Sequence, residues 1–141
     1  MEPATSLVTA CCALALLTFL VGVRMLYVRI GEMRRRGIGP QDVALSGQRA
    51  ERLEDTRASD NYNHLFELPV LFYALAALAV ATGHVPGWLA WAAWVFVALR
   101  VVHSLIQCTY NRVMHRFAVF LAGYGLLLVM WLGFGGSYLV G

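Results

Sequence analysis

The chain has 141 residues, room for one domain, and 60% of them are hydrophobic while only 13% are charged. That balance excludes an ordinary soluble domain and points to the membrane. The net charge of +3 rests on eleven basic residues, all of them Arg. They gather between apolar runs, which marks membrane topology and not a solvated nucleic-acid-binding face.

The first apolar run spans about Ala4 to Tyr27. Glu2 stands where a leader peptide would carry basic residues, and Arg24 and Arg29 close the run as in a stop-transfer flank. We read it as a retained helix. Cys11 and Cys12 lie inside it and Cys108 lies far away. With no C-x-x-C spacing they indicate neither a metal site nor a redox pair, and are read as packing residues.

A long connection follows. Arg34-Arg35-Arg36-Gly37-Ile38-Gly39-Pro40 is a basic turn suited to anionic headgroups. From Ser46 to Asp60, Arg alternates with Glu and Asp, which fits either a solvated helix continuing straight into the second span or a disordered segment. Further spans are expected over about 61–82, 87–107 and 116–139, each near the 20 or so residues that a bilayer core requires. Short links at 83–86 and around 108–115 permit only antiparallel neighbours. The fold class expected is therefore all-α, an integral membrane up-down four-helix bundle. Small residues in the fourth span (Ala118, Ala122, Gly123, Gly125, Gly133) allow close helix contacts within or between subunits. The Arg-rich connections belong in the cytoplasm by the positive-inside rule, with both termini on the other side. Arg without Lys suits a GC-rich bacterial genome, and hence a bacterial inner membrane.

The second span opens on Asp60-Asn61-Tyr62-Asn63-His64-Leu65-Phe66-Glu67-Leu68-Pro69. A carboxylate here is costly in lipid and is expected to face protein. Asp60, His64 and Glu67 would share one helical face. In the third span Arg100, His103, Gln107 and Tyr110 follow a 3-4-3 spacing and would share another. With Arg116 opening the fourth span, these side chains reach one level near the cytoplasmic end. A Glu67–Arg100 or Glu67–Arg116 pair would neutralise both charges and leave spare guanidinium donors for an anionic ligand that also offers an amine. The bland alternatives are an ion pair that fixes helix register and snorkelling of Arg112 and Arg116. His84 and His115 are read as solvated, and Tyr27, Trp88, Trp91, Trp94, Trp131 and Tyr138 as interfacial anchors or packing.

Asn61–Tyr73 and Arg100–Arg116 resemble the MAPEG family, membrane-associated proteins of eicosanoid and glutathione metabolism. Glu67 and Pro69 fit that family's acidic and proline positions, Arg100-Val101-Val102-His103 fits its Arg-x-x-His, and Arg116 fits its later Arg. Asn63 is displaced by one, Gln107 stands where Tyr is expected, and Phe117 replaces the Ser of some eicosanoid-making members. The resemblance implies a homotrimer of four-helix bundles that binds glutathione as co-substrate between subunits. Its thiol would be turned on a lipophilic small-molecule substrate arriving from the surrounding lipids. By resemblance the catalytic residues are Arg100 and Arg116, and the glutathione ligands are Asn63, His64, Glu67, Arg100, His103, Gln107 and Tyr110. No metal and no nucleic acid are expected. The departures argue against prostaglandin chemistry. Two other classes are a non-catalytic membrane protein with a structural or lipid-binding Arg–Glu core, and a proton-coupled exporter, which the complete Arg bias disfavours.

Overall fold

A computed structural model describes residues 1–140 and forms six helices. They are α1 (Pro3–Arg36), α2 (Ser46–Arg52), α3 (Arg57–His64), α4 (Leu68–Ala81), α5 (Gly87–Cys108) and α6 (Val113–Val140), with a 3₁₀ turn at Pro40–Val43. Four segments are long and apolar enough to cross a membrane: Pro3–Arg36, Arg57–Ala81, Gly87–Cys108 and Val113–Val140. The chain is all-α, with no strand among the described residues.

Side-chain bonds at each end show the up-and-down course. At the Arg-rich end, Arg24 Nη2 donates to the Cys108 carbonyl (2.8 Å) and Arg57 Nη1 to that of Thr109 (2.7 Å). At the other end, Trp94 Nε1 donates to Ser6 Oγ (3.1 Å) and His84 Nε2 bonds Ser137 Oγ (2.9 Å). His84 also packs beside Phe134 and Tyr138, so it is half-buried and ties a connection to α6, where a solvated residue was expected. Between these ends lie Leu7, Leu14, Leu75 and Met130 around the stacked rings of Phe72 and Phe96, 4.9 Å apart. Gly133 admits the Trp88 ring so closely that a Cβ there would sit 2.8 Å from it. The outward faces of α1 and α6 keep Leu16, Phe19, Leu20, Leu121, Leu128 and Leu132 exposed. Such faces suit acyl chains, which are as apolar as they are.

Helix α1 continues past Tyr27 to Arg36, roughly 13 Å of extra length at about 1.5 Å per residue. It ends where Gly37 turns left-handed (φ 65°) and the Ile38 N–H returns to the Met33 carbonyl (3.0 Å). Three arginines in the last turn face the negative end of the helix dipole.

The mixed-charge segment does not run on into the second span as one helix. Glu32 on α1, only 5% exposed, accepts the N–H groups of Glu54 (2.7 Å) and Asp55 (3.4 Å) and the Arg36 guanidinium (2.9 Å). Backbone donors that a continuous helix would use internally are taken by this carboxylate, so the chain breaks between α2 and α3. A second break separates α3 from α4. Pro69 has no N–H to give the Leu65 carbonyl and crowds it, which interrupts the helix. The turn is closed by short-range bonds from Phe66 N–H to Asn63 O (2.9 Å) and from Val70 N–H to Glu67 O (3.2 Å).

Candidate functional site

The Pro69 break decides where Glu67 goes. Its backbone leaves the helical region (φ −94°, ψ −96°), so it no longer continues the α3 face that carries Asp60 and His64. The side chain is 56% exposed, and His64 Nδ1 meets its Oε2 at 2.8 Å. The expected Glu67–Arg100 or Glu67–Arg116 ion pair is absent, because the proline-induced turn lifts Glu67 away from α5 and puts an imidazole within closer reach.

Glu67 and Arg116 nevertheless face the same space. One cleft of about 330 Å³ is lined by Asp60, Asn63, His64, Glu67, Gln107 and Arg116. A neighbouring one of about 210 Å³ shares His64, Glu67 and Arg116, adds His103, and turns apolar toward Val113, Phe117 and Phe120. Arg116 is aimed there by Asn111, whose Oδ1 accepts its Nη1 at 2.9 Å. Asn111 itself occupies the left-handed region (φ 47°) at the α5–α6 turn, a conformation that Asn tolerates better than most residues.

Beneath the cleft, α5 places Arg100, His103, Ser104 and Gln107 inside the bundle, each buried. His103 Nε2 bonds Gln107 Oε1 (3.1 Å), and its ring stands edge-on to that of His64 with centroids 5.9 Å apart. Arg100 is 1% exposed; its Cζ lies 5.5 Å from the Phe96 ring centre and 5.9 Å from that of Phe120. Its guanidinium rests on Gly123, where a Cβ would be 2.5 Å from Nη2. Arg100 Nε and Nη2, His103 Nδ1 and Gln107 Nε2 are buried without a hydrogen-bond partner. Buried polar groups are normally satisfied, and an uncompensated buried charge costs roughly 3–5 kcal/mol. A donor-rich set of this kind is complementary to an anion.

The structure therefore brings Asn63, His64, Glu67, His103, Gln107 and Arg116 to one place. Arg100 joins them from below without lining either cleft. Tyr110 does not join: it lies beyond the end of α5, 58% exposed, with its hydroxyl 3.2 Å from His115 Nδ1. The 3-4-3 spacing reaches it only if α5 continues, and α5 stops at Cys108. His115, read as merely solvated, is the group that holds it.

Sequence reasoning missed Asn61, Ser104, Cys108 and Asn111. Ser104 Oγ donates to Asn61 Oδ1 (3.3 Å) and Asn61 Nδ2 approaches Cys108 Sγ (3.5 Å), all three within the interior. The signal existed, since Ser104 and Cys108 lie four and eight residues after Arg100 and so recur on its helical face. No group of acidic, His and Cys side chains suited to a metal occurs among the described residues.

A family model described as MAPEG family matches residues 7–136. No curated protein and no solved structure matches the chain.

Proposed function

The chain belongs to the MAPEG family, and from that premise we propose that it is a membrane transferase or peroxidase that sets glutathione against a lipophilic electrophile. One observation carries the reading: Arg116 and Glu67 line a cleft above buried, unpartnered donors on Arg100 and Gln107. Glutathione has two carboxylates, an ammonium and a thiol, and these residues offer complementary groups. Glu67 and Asp60 would take the ammonium, and Arg116 with Gln107 and Asn63 would take carboxylates or the sulfur.

Bound glutathione supplies a sulfur nucleophile. Everything else falls to the chain's own groups. Arg116, held by Asn111, places positive charge in the cleft and so favours thiolate over thiol there. His64 orients Glu67. Val113, Phe117 and Phe120 give the second cleft an apolar wall against which an electrophile can lie after leaving the bilayer. Arg100, below the cleft, adds positive potential where screening by water is weak. We place the Arg-rich end in the cytoplasm by the positive-inside rule and expect a homotrimer on the family's terms.

Titration of the purified protein with substoichiometric glutathione tests this through ultraviolet thiolate absorbance. A signal lost in Arg116→Leu is expected. No signal at millimolar glutathione overturns the reading. The Arg100–Gly123 contact favours a second, non-catalytic reading in which Arg100 fixes how α5 and α6 mesh. In that case Arg100→Ala lowers thermal stability while any ligand signal survives.

A further inference from the structure

A further cavity of about 350 Å³ lies at the Arg-rich end, between α1, α2 and α3, and adjoins the first cleft through Asp60 and Asn63. That size falls within the range of small-ligand sites, about 300–1,000 Å³. Arg29 from α1 and Arg49 from α2 both line it, together with the hydroxyl residues Ser46, Thr56 and Ser59. Arg29 Nη2 donates to Ser59 Oγ (3.1 Å), but the Nε atoms of Arg29 and Arg49 are both buried without a partner. Neither arginine belongs to an ion pair among the described residues. Asp60 is the one carboxylate on the wall, and its Oδ2 already accepts the Thr56 hydroxyl (3.0 Å). Two guanidinium groups against one carboxylate leave a net positive charge.

We infer that this cavity binds a phosphoryl anion, bridged by Arg29 and Arg49. Several arguments converge. Like charges facing one cavity repel unless an anion lies between them, and guanidinium forks match phosphate oxygens in bidentate fashion. The Ser46 and Ser59 hydroxyls can add donors around a tetrahedral oxyanion, that of Thr56 being spent on Asp60. The level of the site also fits: Arg29 is two residues past Tyr27, about 3 Å along the helix, where hydrocarbon gives way to headgroups. The anion can be an anionic lipid's headgroup phosphate or a free phosphate. Arg29 and Arg49 line neither cleft of the proposed glutathione site, whereas Asp60 and Asn63 line both this cavity and the first cleft, so the two arginines are where the inference is tested apart from that reading. Binding joins α2 to α1 through the ligand, which orders residues 46–56.

The full chain in nanodiscs, followed by hydrogen exchange of amides 46–56, tests it. Nanodiscs containing phosphatidic acid should slow exchange there by about tenfold relative to phosphatidylcholine alone. The same protection from millimolar inorganic phosphate in phosphatidylcholine nanodiscs assigns the site to the free ion, and protection by phosphatidic acid alone assigns it to the lipid. The double variant Arg29→Gln/Arg49→Gln should abolish the effect, while Arg34→Gln/Arg35→Gln, which weakens general attraction to the surface, should retain it. Arg29→Lys/Arg49→Lys keeps the charge and should show an intermediate effect with an unchanged fold. Absence of protection by either anion overturns the inference. So does protection that survives in Arg29→Gln/Arg49→Gln or vanishes in Arg34→Gln/Arg35→Gln.

Discussion

Between Arg100 and Gly123 there is no room for a methyl group. A Cβ at position 123 would stand 2.5 Å from Nη2, and the guanidinium is confined by Phe96 and Phe120 on either side. Gly123→Ala should therefore destabilise the protein by roughly 1–3 kcal/mol, as overpacking does, read as a lower thermal midpoint in detergent. Asn111 offers a cleaner separation of fold from site. At φ 47° glycine is at ease, so Asn111→Gly keeps the turn and removes only the oxygen that holds Arg116. We expect weaker glutathione binding by calorimetry with an unchanged thermal midpoint. A melted α5–α6 turn would show that Asn111 serves the fold alone.

The elements differ in how far they could be read from the chain. Long apolar runs declare themselves because a span needs length and little else, so three of the four expected runs lie within single helices, while the second, 61–82, is divided between α3 and α4. Interruptions were harder. Pro69 was visible as a residue type, but its effect on Glu67 depends on which backbone groups the turn can satisfy. Glu32 carried no signal, since its partners are amides 22 and 23 residues away in sequence. The level shared by Asn63, His64, Glu67, His103, Gln107 and Arg116 was legible from spacing and depth. The pairing of Glu67 was not, because spacing assumes an unbroken helix. Replacing the cause should restore that assumption: Pro69→Ala should fuse α3 and α4. Slower hydrogen exchange at Leu65–Glu67 is the outcome to look for. Exchange that stays fast would mean that the turn is held by its surroundings and not by proline.

Across the molecule, the Arg-rich end carries all of the ion pairs found among the described residues. One of them predicts a pH response of the whole bundle. The Arg57 guanidinium, bonded to Asp55 at 2.8 and 2.9 Å, holds the Asp55 carboxyl below its usual range. A group depressed in the folded state stabilises that state above its unfolded value, about 4, and the stabilisation is lost as pH falls through the folded value. Asp55 is partly exposed, so the effect is modest. Thermal midpoints should fall on acidification below about pH 4, with a shallower slope in Asp55→Asn. An identical slope would assign the acid response to other carboxylates.

The interrupted backbone at Leu65–Glu67 also works as a waterline. Hydrocarbon does not tolerate peptide groups without partners, and the Leu65 carbonyl has lost the donor that a residue other than proline would supply. The boundary between oil and water is thus held at this turn or on its bilayer-centre side, and the rest of the hull must float at the draught it sets. Spin labels stepped along α4 from Leu68 toward Ala81 should lose contact with aqueous relaxants within the first turn, in whatever bilayer thickness the protein is placed.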